Sequence, residues 1–553
     1  MGYNRPRDIG RRSARAAGAP MSAGATSVPK RTTRLSLLGV LVFCGLSGLL
    51  LSLSFPPAGL WPVVWVALVP WIVAVRSGSR FSTFAGSWLA GFVFFAALLY
   101  WLHLFGLSVW LIAALAWGAI FMLWGLLLRW TGRLEPLQRM LGAAAVWCGL
   151  ESLRGLGEFA FTWGWLGYSL SPSLSLLPLA HLLGTIGLSF IIVLVNAGLA
   201  EIVVSVLRRE AVLGTFFRGA LVCGAAALAL VGAGSWFDRL PGPSGPAITV
   251  AVVQGSAHGP LTTDDVNRPV TREEQVQMLD VYQSLTRQAA RARPALIVWP
   301  ESAIPGSPGD NPWITERMAE LVSDSGAWLL AGGPYVDEEG RTYNSAYLYS
   351  PTGNVTRRYD KVRLVPFGEY VPARARLPFI ARYPVRDFDF AAGPVHHPLQ
   401  AGTVTIGPTI CFESIFPDVA EKLVADGAQV LVVITNDAWF GRTAAAAQHR
   451  QIAVLRAVET GRWVVRAAGT GISSLIAPDG RIVAEAGLYQ RKVLSAEITL
   501  TRPEEPGARW SRPFAWLMIG LSIAYLIAPA AVPRRRRRAR AAPRETPREP
   551  PDS

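Results

Sequence analysis

Between residues 36 and 233 the chain presents one apolar window after another, near 36–54, 59–75, 83–103, 107–128, 138–152, 177–206 and 213–233. One more, near 514–531, follows only after a polar stretch from 236 to about 510. Most of these windows approach the ~20 residues that a helix needs to cross a bilayer core. In lipid every backbone polar group must be satisfied within its own segment, so the windows are expected to be helices. The pattern predicts about seven spans, two of them short or proline-interrupted, then an extramembranous domain, then a last span. An apolar content of 51% against 16% charged residues departs from the soluble average in that direction.

The net charge of +15 is unevenly placed. Residues 1–34 carry eight basic side chains against Asp8, and residues 533–553 carry eight, including Arg534 to Arg538, against three acids. Basic residues flanking apolar spans mark cytoplasmic ends. Arg76 and Arg80, then Arg129, Arg133 and Arg139, then Arg208, Arg209 and Arg218 fall beside alternate loops, on the side of both tails under a seven-plus-one count. The expected organisation is a disordered basic cytoplasmic arm (1–34), a membrane bundle (35–235), an extracytoplasmic domain (236–510), a C-terminal span (511–532) and a basic cytoplasmic tail (533–553). Charge confined to tails is lipid-facing or solvated, and nucleic acid is not expected as a partner.

Within 236–510 the period changes. After PGPSGP (241–246), short apolar runs at Ile248 to Gln254, Ala295 to Pro300, Trp328 to Gly332, Thr403 to Ile410 and Gln429 to Thr435 read as strands. Helical stretches near 271–292, 312–325, 415–426 and 443–460 alternate with them, predicting an α/β domain of mixed strand connection. Of the four cysteines, Cys44, Cys148 and Cys223 lie in apolar windows and are expected to pack as small hydrophobes. No pair has a disulfide or metal spacing, so neither disulfides nor a zinc site is expected, and nothing else in the sequence indicates a metal or cofactor.

Three words place a reactive side chain at a strand end, where scaffolds present catalytic groups. They are VWPES with Glu301, YDKVRLVPFGEYVP with Lys361, and TICFES with Cys411. Together they supply a thiol nucleophile, a carboxylate to take its proton, and a cation to ease ionisation of the thiol and stabilise a tetrahedral oxyanion. None of the six histidines lies beside these words in sequence.

The Glu, Lys, Cys order, with WPES and CFES, resembles the nitrilase or carbon-nitrogen hydrolase superfamily. That resemblance implies a four-layer αββα sandwich, with Glu301 as base, Lys361 as electrostatic stabiliser and Cys411 as nucleophile. LVPFGEYVP after the lysine, NDAWFG (436–441), FTWGWLGYS (161–169) and GTIGLSFIIVLVNA (184–197) are similar to bacterial apolipoprotein N-acyltransferases. The resemblance covers about 35–530 and implies further roles. Glu369 is a supporting active-site carboxylate, Phe412 and Glu413 flank the nucleophile, and the Phe412 N–H is a second oxyanion donor. Trp439 and Tyr370 are implied to bind substrate. The pattern departs at Gly469, where the family often carries Asn.

The implied reaction takes a fatty acyl chain from a phospholipid onto Cys411 and passes it to the α-amino group of a diacylglyceryl-modified apolipoprotein. It places the chain in the bacterial cytoplasmic (inner) membrane, as a monomer among membrane lipid. Phe367 to Tyr383 is expected to form a lid dipping toward the interface. The alternative reading is a membrane-tethered nitrilase-type amidase acting on a small amide or nitrile, although a tether needs only one span.

Overall fold

A computed structural model describes residues 35–132, 134–208, 212–257, 270–372, 389–505, 507 and 510–531. The basic arm 1–34, the tail 533–553 and the part of the expected lid beyond residue 372 lie outside the described residues. The helical part comprises α1 (Leu37–Leu53), α2 (Val69–Ser77), α3 (Arg80–Leu98), α4 (Leu107–Thr131), α5 (Pro136–Arg154), α6 (Pro178–Arg208) and α7 (Val212–Phe237). Among the described residues, α3, α4, α6 and α7 are long and apolar enough to cross a membrane. The window near 59–75 forms a short 3-10 turn, Trp61–Trp65, followed by α2. Pro62 and Pro70 each fall in the first turn of their helix, where a missing N–H costs nothing. The helix α5 carries Arg139, Glu151 and Arg154 and is correspondingly less apolar.

Small residues let these helices approach. A Cβ added at Gly91 of α3 would lie 2.7 Å from the Gly118 carbonyl oxygen of α4, so the two backbones meet directly. Gly184 breaks α6 near its start, with φ at +71°, a conformation glycine adopts at little cost.

The polar segment runs β1 (Ala247–Gln254), α8 (Arg272–Ala290), β2 (Leu296–Val298), α9 (Pro312–Ser325), β3 (Trp328–Val336), β4 (Thr342–Tyr349), β5 (Val355–Asp360), β6 (Leu399–Ala401), β7 (Val404–Ile410), α10 (Pro417–Ala425), β8 (Val430–Thr435), α11 (Ala445–Thr460), β9 (Val464–Ala468), β10 (Ser474–Ile476), β11 (Ile482–Glu485) and β12 (Lys492–Thr499). A final helix, α12 (Ser511–Ala531), follows. Two six-stranded sheets form, in the orders β12-β1-β2-β3-β4-β5 and β11-β10-β9-β8-β7-β6. Each has three parallel strands at its centre, β1-β2-β3 and β7-β8-β9, with antiparallel neighbours outside.

The period-2 alternation of a strand sorts side chains into layers. Val250 and Val252 of β1 face Ile406, Val432 and Ile434 of the second sheet, filling a core between the sheets. Ala251 and Val253 point the other way, onto Leu279 and Tyr282 of α8 and Met318 of α9. Leu431 and Val433 of β8 face Leu423 of α10 and Ile452 and Leu455 of α11, in a core continuous with the helical bundle. The domain is therefore the expected αββα sandwich, and its α10/α11 layer rests on the bundle.

That seat is polar at its centre. Glu459 of α11 accepts from the Thr185 N–H (2.7 Å) and hydroxyl (2.6 Å), capping α6 where it restarts after Gly184. Gln448 of α11 donates to the carbonyls of Pro56 (3.0 Å) and Leu98 (3.2 Å) and accepts from the Trp163 indole (2.8 Å).

Candidate active site

Catalytic groups in open α/β sheets collect beyond the C-terminal ends of the parallel strands. Here β2 leads to Glu301, β7 to Cys411 and β8 to Asn436. β5 runs parallel to β3 by two antiparallel steps, so Lys361 leaves the first sheet at the same edge. Local backbone makes room for this convergence. A Cβ at Gly332 of β3 would lie 2.6 Å from the Glu301 Cα, so only glycine admits the Glu301 turn there. Cys411 opens a 3-10 turn (Cys411–Ile415) with φ at +52°, and Ser302 beside Glu301 has φ at +57°. Left-handed backbone at a non-glycine costs roughly 1–3 kcal/mol and persists where the surroundings impose it.

The structure brings Glu301, Lys361, Glu369 and Cys411 together. The Lys361 ammonium donates to Glu369 Oε1 at 2.8 Å and lies 3.9 Å from Glu301 Oε1. Asn344 of β4 spans the two carboxylates, donating to Glu301 Oε1 (2.7 Å) and Glu369 Oε1 (3.0 Å). Glu301 Oε2 accepts from the Asn436 N–H at 2.6 Å, which links the two sheets across the site. Glu369 Oε2 accepts from the Val365 N–H at 2.8 Å. Cys411 is 9% exposed and Lys361 1%, so these groups are almost entirely shielded from solvent.

Burial pushes the Cys411 thiol well above its ordinary value; the Glu301 carboxylate adds to the rise and the Lys361 ammonium pulls against it. The sequence suggests a cation easing ionisation of the thiol. Lys361 acts in that direction, yet burial outweighs it and the resting thiol is neutral. Burial also raises Glu301, opposed by the Lys361 charge and the N–H donors of Asn344 and Asn436. Burial alone would lower Lys361, but Glu369 and Glu301 outweigh it and hold the ammonium charged. A neutral thiol beside a carboxylate of raised basicity is the arrangement for proton transfer concerted with attack.

The other expected residues fall around this centre. Glu413 is fully buried, and its carboxylate accepts from the N–H groups of Ile410 (2.8 Å), Val362 (2.8 Å) and Arg363 (3.1 Å) and from the Tyr359 hydroxyl (3.0 Å). It fastens the Cys411 turn to the Lys361 segment. The Phe412 ring stacks on Phe161 of the membrane loop, the segment between α5 and α6, with centroids 6.5 Å apart. Trp439 stacks on Phe105 (6.1 Å), and the Tyr370 hydroxyl donates to Glu158 (3.3 Å), so both reach toward the helical part. The same membrane loop holds the nucleophile turn, because the Thr162 hydroxyl donates to the Ile415 carbonyl at 2.8 Å. At Gly469 the N–H donates to the Thr435 carbonyl at 3.0 Å.

Residues 249–505 match the carbon-nitrogen hydrolase family, and residues 47–198 match the apolipoprotein N-acyltransferase N-terminal domain. An apolipoprotein N-acyltransferase from Geobacter metallireducens is 35% identical over 492 residues, covering 86% of this chain and 92% of that protein. One from Azotobacter vinelandii is 33% identical over 513 residues, covering 89% and 94%. The chain belongs to the apolipoprotein N-acyltransferase family. It is thus an acyltransferase of the carbon-nitrogen hydrolase superfamily, built into a membrane protein. An amidase from Nesterenkonia sp., known from its structure, is 20% identical, covering 50% of this chain and 98% of that one, with a TM-score of 0.36. The family match to the helical part, which a tethered amidase would not need, leaves that alternative without better support.

Sequence reasoning misses several polar residues at this centre. Asn344 lies in the polar, Tyr-rich strand TYNSAYLY, which has no apolar run to announce it. His449 lies 38 residues beyond Cys411 in sequence, yet its Nε2 is 2.8 Å from the Ser414 hydroxyl in the CFES turn. No helical face could have singled it out, because α11 is buried on nearly every side.

Proposed function

We propose that Cys411 is the nucleophile, Glu301 the general base and acid, and Lys361 with the Phe412 N–H the oxyanion stabilisers of a two-stage acyl transfer. The single observation that carries this reading is the Glu301, Lys361 and Asn344 cluster converging on a buried, neutral thiol at the end of β7. In the first stage the Cys411 Sγ attacks the ester carbonyl of a phospholipid while Glu301 takes the thiol proton. The tetrahedral oxyanion forms against Lys361 and the Phe412 N–H. Its collapse breaks the ester C–O bond, and Glu301 returns the proton to the leaving alkoxide. A lysophospholipid departs, and Cys411 holds the acyl chain as a thioester.

In the second stage the α-amine of a diacylglyceryl-modified cysteine attacks the thioester. Glu301 receives the amine proton and delivers it to the departing Cys411 sulfur. An amide forms and the enzyme is regenerated. Splitting the transfer into two displacements suits ping-pong kinetics. Glu369 holds Lys361, Glu413 holds the nucleophile turn, and Tyr370 and Trp439 line the path between site and bilayer.

The bundle supplies that path. Moving an acyl chain through water would cost about 0.8 kcal/mol per CH₂. Phe161 stacked on Phe412 gives an apolar contact from the membrane loop to the nucleophile. The arginine-rich loops and tails support cytoplasmic termini in the bacterial inner membrane, with residues 236–510 on the extracytoplasmic face. The test is to supply phospholipid and a diacylglyceryl-cysteine peptide to the purified protein. Lysophospholipid and N-acylated peptide are expected in equal amounts. Free fatty acid in place of N-acylated peptide would overturn the transferase reading.

A further inference from the structure

Behind the nucleophile lies a second buried polar cluster that the proposed chemistry does not use. Asp437 follows β8, Arg466 lies on β9, His449 on α11 and Ser414 in the Cys411 turn, and each is 3% exposed or less. Arg466 donates to Asp437 Oδ2 at 2.7 Å, and the Thr435 hydroxyl donates to Asp437 Oδ1 at 2.9 Å. The Ser414 hydroxyl lies 2.7 Å from the Cys411 carbonyl oxygen and 2.8 Å from His449 Nε2.

Counting protons orients this chain. A carbonyl only accepts, and a serine hydroxyl has one hydrogen, so Ser414 donates to the Cys411 carbonyl. His449 Nε2 must then carry the proton that Ser414 accepts. His449 Nδ1, with a lone pair, accepts from Arg466 at 3.1 Å, and its 3.2 Å approach to Asp437 Oδ1 is not a hydrogen bond in this tautomer. Burial and the Arg466 charge both lower the imidazole pKa and keep it neutral, outweighing Asp437.

The Cys411 carbonyl and the Phe412 N–H belong to one planar peptide and point in opposite directions. Whatever fixes the carbonyl therefore aims the N–H, and a hydrogen bond to the carbonyl polarises the N–H at the other end. We infer that Arg466, His449 and Ser414 form a positioning relay that holds the Cys411–Phe412 peptide so that the Phe412 N–H faces the developing oxyanion. The inference rests on the reading of Cys411 as nucleophile. Asp437 is the relay's anchor: it fixes Arg466, and its neighbour Asn436 donates to Glu301, so one cluster registers both base and oxyanion donor.

The test compares two reactions of the same thiol in detergent-solubilised full-length protein. Thioester formation from phospholipid passes through an oxyanion, whereas alkylation of Cys411 by iodoacetamide does not. Deleting an oxyanion donor outright costs roughly 10²–10³-fold, so loosening its aim is expected to cost about tenfold or more. Ser414→Ala and His449→Phe should slow thioester formation by that factor with unchanged half-saturation by phospholipid, while alkylation stays near the parental rate. His449→Gln, which keeps a donor toward Ser414, should recover most of the loss, and the double variant should be no slower than the slower single one. Gly471→Ala offers an independent perturbation, because its Cβ would lie 2.1 Å from Asp437 Oδ2. If Ser414→Ala acylates at the parental rate, or if alkylation falls in step with acylation, the relay is wrong. If the parent takes no acyl group on Cys411, the reading beneath it fails instead.

Discussion

Two buried charge clusters, one in each half of the molecule, have inverse compositions. In the bundle Glu201 of α6 sits between two arginines, 2.5 Å from Arg76 and 3.0 Å from Arg139. In the sandwich one cation, Lys361, sits between two carboxylates, 2.8 Å from Glu369 and 3.9 Å from Glu301. The first cluster ties α2, α5 and α6 by short contacts on both oxygens of its lone acid. The second leaves Glu301 at longer range from its cation, with raised basicity, beside a neutral thiol. A buried acid bonded at short range on both oxygens holds a fold together, and one held at longer range from its cation is poised to move a proton.

The largest expected contrast comes from Glu301→Gln. Loss of the base should lower acyl transfer by at least about 10³-fold. The melting temperature should stay the same or rise, since a strained buried charge is gone. A comparable loss of stability would put Glu301 in the same class as Glu201. Lys361→Met should cost roughly 10²–10³-fold in turnover and also destabilise, because two buried carboxylates then face each other unpaired. Glu201→Gln should do the reverse, destabilising by roughly 3 kcal/mol while each folded molecule keeps its activity. Thermal melts paired with turnover per folded molecule check all three.

Two pH effects are smaller. Only ionised Glu301 can accept the thiol proton, and its pKa lies above the ordinary 4.5, so the acid limb of kcat/KM should fall above that pH and vanish as a separate limb in Glu301→Gln. For Asp437, burial opposes ionisation, but the Arg466 guanidinium and the Thr435 hydroxyl outweigh it and hold the carboxyl down at about 2. A depressed carboxyl stabilises the fold fully above its ordinary 3.8, and the contribution disappears as pH falls through about 2. Asp437→Asn should remove about 2 kcal/mol at neutral pH and almost nothing at the lowest pH.

How much of this could be read beforehand follows from what each element buries. The parallel strands β1, β2, β7 and β8 are apolar on both faces, so ITVAVVQ, ALIVWP and QVLVVIT announce themselves, as do the residues at their ends. The β4/β5 hairpin does not, because TYNSAYLY and VTRRYD pair antiparallel toward the sheet edge and interleave polar side chains with the few apolar ones, such as Ala346 and Leu348, that enter the core. Lys361 was legible from its motif, whereas Asn344, which bridges the two carboxylates around it, was not. The break of α6 at Gly184 was hidden in a continuous apolar run, since a glycine there reads equally as a helix contact. Glu301, Lys361 and Cys411 stand out as words, but the contacts of His449, Asp437 and Arg466 exist only once α11 and β9 fold against the Cys411 turn.

The whole mechanism turns on Cys411 carrying the acyl chain. The most direct measurement is the intact mass of the purified protein and of Cys411→Ala after incubation with phospholipid and no acceptor. A fatty-acyl increment is expected on the parent and none on the variant, with discharge of the increment by a diacylglyceryl-cysteine peptide. An increment that persists in Cys411→Ala, or a parent that turns over a small amide while taking no acyl group from phospholipid, would contradict it.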